Sequence, residues 1–122
     1  MFKLLIVDDE IDIREIAAKS FREKYGLEVF TAAEGKKALD LIIQVKPDLV
    51  LLDINMRHGM DGIDVLRTLK EMNLFVKVVI VSGYLTDEYL KQAHELGALD
   101  FVHKPFKLMD LEKVVFKYLN KP

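Results

Sequence analysis

The chain has 122 residues, 51% of them hydrophobic and 31% charged, which is the composition of one globular domain with a real core and excludes a disordered, collagen-like or disulfide-knit chain. Eighteen basic residues against twenty acidic ones give a net charge of −2, so bulk charge steers the chain neither to nucleic acid nor to an anionic membrane. Cysteine is absent, which removes thiolate nucleophiles, disulfides and cysteine-ligated metal centres.

The first apolar run, 4–7, is too short for a signal peptide, and no stretch approaches a membrane span. The expectation is a cytoplasmic protein, mature as written, with residues 1–122 forming a single domain and no room for an output domain. After that run, Ile13, Ile16, Ala17, Ser20 and Phe21 recur at helical spacing, and a second strand is expected at 29–32. Ala38, Leu41, Ile42 and Val45 mark the next helix, and 49–52 the third strand. Val65, Leu66, Leu69 and Met72 mark a third helix, followed by a strand at 78–81. The fourth helix should start at Thr86, a good N-cap followed by Asp87 and Glu88, and end near Gly97. Its apolar stripe of Leu90, Ala93 and Leu96 is thin, so it is weakly anchored. A strand at 100–103 and a helix carrying Leu108, Leu111, Val115 and Leu119 complete the chain.

Runs 4–7, 49–52 and 78–81 are apolar at every position, as central strands covered on both faces must be. Five strand-helix units with right-handed crossovers predict a doubly wound α/β fold, a five-stranded parallel sheet of order 2-1-3-4-5 with the flavodoxin-like (βα)5 layout. Ligands of such sheets sit at the carboxyl ends of the strands, where the winding reverses.

Each core strand ends in a chemically capable group: Asp8-Asp9-Glu10 after the first, Asp53 after the third, Ser82-Gly83 after the fourth and Lys104-Pro105 after the fifth. Singly, these acids and the serine read as caps or turn residues. Together they converge on one rim, and Asp8, Asp9 and Asp53 repel one another unless a cation neutralises them. Oxygen-only donors select Mg2+ or Mn2+ over zinc and leave coordination sites for water and a phosphate oxygen. The three histidines, His58, His94 and His103, are too scattered for a metal set and are read as surface or partly buried groups. Met56 and Met60 are read as loop packing, and Lys36, Lys37, Lys113 and Lys117 as solvated faces.

In the motifs Ile6-Val7-Asp8-Asp9-Glu10, Leu51-Leu52-Asp53-Ile54-Asn55-Met56, Met60-Asp61-Gly62, Val81-Ser82-Gly83 and Lys104-Pro105-Phe106, the sequence resembles the receiver domain of two-component response regulators, the single-domain chemotaxis response regulators among them. The resemblance covers essentially the whole chain. It implies Asp53 as the phosphate acceptor, Asp8 and Asp9 as the acidic pair that holds Mg2+, and the Asn55 main-chain carbonyl as a further metal ligand. By the same resemblance Ser82 engages the phosphoryl group, Lys104 pairs with it, Phe101 stands at the aromatic switch position, and Lys104-Pro105 is a candidate cis bond. The implied donor is a phosphohistidine on a sensor histidine kinase or phosphotransfer protein, with small acyl phosphates as substitutes. Such a chain is a switch rather than an enzyme, limited to phosphorylating itself and slowly losing the phosphoryl group.

One departure stands in the loop after Asp53, which is a residue longer than the family pattern and carries Arg57 where that pattern has proline; Gly59 can absorb the extra residue at positive φ. Asn55 and Tyr84, two residues beyond Asp53 and Ser82, are placed to tune phosphoryl lifetime by meeting the attacking water. The expected output surface is the face of helix 4, strand 5 and helix 5, reached when Ser82 moves toward the phosphoryl group and Phe101 turns inward. It would engage a downstream protein, the chain being a monomer or a phosphorylation-dependent homodimer with no direct nucleic-acid or membrane contact. The competing reading is a Mg-dependent aspartate-nucleophile phosphohydrolase, against which stands Asn55 where such enzymes carry a second Asp. An FMN protein is disfavoured because Asp8-Asp9-Glu10 would repel the cofactor phosphate.

Overall fold

The computed structural model describes residues 1–57 and 59–119. His58 and Pro122 lie outside the described residues. Five β-α units follow one another: β1 (Lys3–Val7), α1 (Ile11–Tyr25), β2 (Glu28–Ala32), α2 (Gly35–Val45), β3 (Leu49–Leu52), α3 (Gly62–Glu71), β4 (Val78–Ser82), α4 (Asp87–Glu95), β5 (Asp100–His103) and α5 (Leu108–Leu119). The strands form one parallel sheet in the order 2-1-3-4-5, the flavodoxin-like arrangement that the all-apolar strand runs require. Val7 pairs with Ala32 and Leu52, Leu52 with Ile80, and Ser82 with His103, which brings the carboxyl ends to one rim.

Side chains alternate across the sheet and so divide the core in two. Leu5, Val7, Val50, Leu52, Val78 and Ile80 pack under α2, α3 and α4, against Ala38, Ile42, Leu66, Leu69 and Ala93. Leu4, Ile6, Leu49, Leu51, Val79 and Val81 meet Ala17, Ala18 and Phe21 of α1 and Leu111, Val115 and Leu119 of α5. Each fully buried aliphatic side chain contributes about 1.5–3 kcal/mol relative to exposure.

Helix α4 starts at Thr86, whose hydroxyl accepts the Tyr89 N–H, and only Ala93 of the helix is buried. Helix α3 begins with a capping box between Asp61 and Asp64. Two residues of the expected apolar stripes are exposed, Ile16 at 63% and Met72 at 48%. Ala17, Ala18 and Phe21 are the buried residues of α1, and Ile16 lines an open hollow beside Pro105, Phe106 and Leu108. Met72 is the C-cap of α3, one residue past the packed stripe. Met56 is buried and Met60 packs against the same core, while His94, His103, Lys36, Lys37, Lys113 and Lys117 are exposed. No helix among the described residues is long and apolar enough to cross a membrane.

Candidate functional site

The hydrogen-bond ladder of the sheet runs one residue beyond β1, β3 and β5, and those residues form the floor of the site. The Asp8 N–H donates to the Ala32 carbonyl at 3.1 Å, the Asp53 N–H to the Val7 carbonyl at 3.0 Å, and the Lys104 N–H to the Ser82 carbonyl at 3.0 Å. Asp8, Asp53 and Ser82 are all buried, at 3%, 4% and 0% exposure. Local N–H groups hold the two carboxylates in place: Asp8 Oδ1 accepts from Glu10 at 2.8 Å, and Asp53 Oδ1 from Asn55 at 3.1 Å. Arg14 braces the Asp8 carbonyl at 2.8 Å.

The Lys104 ammonium stands among three acids, 2.7 Å from Asp8 Oδ2, 2.9 Å from Glu10 Oε1 and 3.1 Å from Asp53 Oδ2. Burial works against its charge, but the bonds to Asp8 and Glu10 and the fields of Asp8 and Asp53 outweigh it and raise its pKa above the ordinary lysine value. For Asp8 burial prevails and raises the pKa, although Lys104 and the Glu10 N–H pull it down. Carboxylate oxygens of Asp8, Glu10 and Asp53 lie within 4.8 Å of one another. The all-oxygen donor set of these carboxylates fits a hard divalent cation.

Asp9 is placed differently. Its Oδ2 accepts the Arg57 backbone N–H at 3.2 Å and the Arg57 Nε–H at 3.0 Å, and it is absent from the cluster of Asp8, Glu10 and Asp53. Burial would raise its pKa, but the hydrogen bonds and charge of Arg57 prevail and lower it.

Glycine sets the closeness of two walls. A Cβ on Gly62 would collide with the Asp53 carbonyl oxygen and lie 2.7 Å from the Ile54 Cα, so only glycine lets α3 start against the end of β3, where the Gly62 N–H bonds the Ile54 carbonyl at 2.9 Å. Gly59 turns the longer loop at φ +68°.

A cleft of about 450 Å3, lined by Asp53, Asn55, Ser82, Tyr84, Lys104 and Glu10 among others, opens above this floor. The Ser82 hydroxyl accepts the Tyr84 N–H at 3.2 Å. Tyr84 is 54% exposed and meets Tyr89 edge to face at 5.8 Å. Phe101 is half-buried against the core under α3 and α4, and the Lys104-Pro105 peptide is cis.

Sequence reasoning gave Glu10 no role of its own, yet its carboxylate reaches Lys104 rather than capping α1, whose N-terminus has no side-chain cap. Arg57 was visible as a departure, but its pairing with Asp9 was not.

Acids, a lysine and a hydroxyl gathered at the switch point of a 2-1-3-4-5 sheet define a flavodoxin-like α/β domain shaped for phosphate chemistry. Residues 4–116 match the family model of the response regulator receiver domain. Sporulation initiation phosphotransferase F of Bacillus subtilis is 40% identical, over 96% of this chain and 93% of its own length. The regulatory protein AtoC of Escherichia coli is 36% identical over 97% of this chain, which spans 25% of that longer protein. Among solved structures, Vibrio cholerae chemotaxis protein CheY4 superposes with a TM-score of 0.88 at 28% identity, covering 97% of this chain and 98% of its own. The receiver domain of NtrX from Brucella abortus gives 0.85 at 36% identity, over 98% and 99%. The chain belongs to the response regulator receiver family, the phosphoacceptor signalling domains of two-component systems. Mg2+ binding through an acidic pocket is typical of that family, and the phosphohydrolase reading is not favoured.

Proposed function

We propose that Asp53 accepts the phosphoryl group, from a phosphohistidine of a sensor histidine kinase or phosphotransfer protein, and that the modified domain controls a downstream protein. The observation that carries this is the Lys104 ammonium held between Asp8, Glu10 and Asp53 at the sheet rim. Asp53 Oδ2 attacks phosphorus as the bond from phosphorus to the imidazole nitrogen breaks, and the bonding pair leaves with the imidazole. Attack of one anion on another is opposed by charge. Lys104 relieves it by turning from the carboxylates to the phosphoryl oxygens, and Ser82, whose oxygen already accepts from Tyr84, has its own proton left to donate. Asp8, Asp9, Asp53 and the Asn55 carbonyl are the groups that would hold Mg2+. When bound, the ion supplies positive charge to the phosphoryl oxygens during transfer.

A donor protein must rest on the rim around Asp53. The apolar part of that rim is a hollow formed by Ile13, Ile16, Pro105, Phe106 and Leu108 beside Lys104, and it is the proposed donor-docking face. Output is assigned to α4, β5 and α5, where Tyr84 and Tyr89 frame a second hollow and α4 is thinly anchored. The domain acts in the cytoplasm as a monomer or phosphorylation-dependent homodimer and turns over nothing but its own phosphoryl group. Incubation with acetyl phosphate and Mg2+ followed by intact mass tests this reading. One phosphoryl adduct is expected, and none when the metal is chelated before the phosphodonor is added; an unmodified protein, or multiple turnover of a phosphomonoester, would overturn it.

A further inference from the structure

The Asp9–Arg57 pair joins a residue expected to hold the cation to the arginine that stands in place of the loop's expected proline. Its geometry follows from the loop. Met56 is buried in the core under α2 and α3, so the next residue must point outward. The extra residue is turned back at Gly59, and Gly35, where a Cβ would come within 2.6 Å of the Met60 carbonyl oxygen, lets the loop lie close to α2. Arg57 is thereby delivered to the rim with two N–H groups on one oxygen of Asp9, at 3.0 and 3.2 Å. The Asp9 side chain is 14% exposed, while that of Arg57 is 73% exposed. The pair therefore joins an anchored acid to an arm free to swing into solvent.

Resting on the cation-site reading above, we propose that Arg57 is a built-in competitor of the divalent cation, holding Asp9 away from Asp8 and Asp53 until the ion pair opens. Arg57 is a positioning residue here: it acts on the cation through Asp9. Ion pairs open to solvent on one side are weak, so the competition is graded rather than absolute, and it lowers cation affinity by about five-fold, near the upper end for such pairs.

The test uses Mn2+ as a spectroscopic substitute for Mg2+, with free Mn2+ read by electron paramagnetic resonance in the absence of phosphodonor. Arg57→Ala should tighten binding by about five-fold in the parent chain and by less than about two-fold in an Asp9→Asn background, because there is then no carboxylate to release. Arg57→Lys, which keeps the charge without the fork, should fall between parent and Arg57→Ala. Equal tightening in both backgrounds would mean simple repulsion of the cation by Arg57, and no tightening would mean no competition; either overturns the proposal. If Asp8→Asn leaves parent Mn2+ binding unchanged, the cation-site reading falls, and the proposal with it.

Discussion

Replacing Gly62 by alanine puts a methyl group where the backbone of Asp53 and Ile54 already stands. The added Cβ would collide with the Asp53 carbonyl oxygen and lie 2.7 Å from the Ile54 Cα and 3.0 Å from the Asp53 carbonyl carbon, so no flexible side chain can yield to it. The first turn of α3 must then move by several tenths of an ångström, stretching the 2.9 Å bond from the Gly62 N–H to the Ile54 carbonyl. Overpacking of this kind costs about 1–3 kcal/mol and a weakened hydrogen bond about 1 kcal/mol, against about 0.5–1 kcal/mol gained by alanine over glycine in a helix. The net loss is about 1–3 kcal/mol, a melting temperature lower by about 4–12 °C for a domain of this size. Gly59→Ala provides the contrast: nothing lies within 4 Å of its Cβ, so the cost is the left-handed backbone alone, about 1 kcal/mol. Thermal melts with acetyl phosphate labelling separate the two. Gly62→Ala should both melt lower and label more slowly, whereas Gly59→Ala should only melt lower. A Gly62→Ala protein melting within about 1 °C of the parent and labelling at the parent rate would refute the reasoning.

The shifted acids predict opposite pH dependences. Asp8, raised above 3.8, contributes stability that is present below that value and lost as pH rises through its folded value; Asp9, lowered, contributes stability present above 3.8 and lost as pH falls through its folded value. Melting of Asp8→Asn relative to the parent should therefore improve as pH rises from about 4 to 7, and a difference independent of pH would contradict it. Lys104, also raised, keeps its contribution throughout that range and loses it only as pH rises through a value above 10.5. Tyr84→Ala should shorten the lifetime of the phosphorylated state several-fold by opening the cleft to water, which the decay of the adduct mass reports. Beryllofluoride with Mg2+ should shift backbone NMR resonances of α4 and Phe101; changes confined to the loops around Asp53 would contradict the proposed output face.

The sheet was legible because residues 49–52 and 78–81 contain no polar residue, a pattern with few solutions other than a central strand. The floor of the site was legible for a related reason: Asp8, Asp53 and Lys104 directly follow strands, so fixing the strands fixes the acids and the lysine on one rim. Depth was less legible. Helical spacing put Ile16 on the same face as Ala17, but whether it is covered depends on what a distant stretch of the chain places against it, and there Pro105, Phe106 and Leu108 leave a hollow. The turn at Gly59 and the packing of Met56 were legible, but the Asp9–Arg57 pair that they make possible spans 48 residues, and no local pattern encodes it. Glu10 was legible as a motif letter but not as the partner of Lys104, because that contact crosses 94 residues of chain.

The identity of the acceptor can be read directly. An acyl phosphate on a carboxylate is reduced by borohydride to an alcohol, which turns a phosphorylated aspartate into homoserine. Protein labelled with acetyl phosphate and Mg2+, reduced, digested and sequenced by mass spectrometry, should carry homoserine at position 53, and Asp53→Asn should yield none. Homoserine at Asp8 or Asp9, the reduced residue at Glu10, or a stable phosphoryl group on a histidine with Asp53 unmodified, would contradict the assignment of Asp53 as the phosphate acceptor.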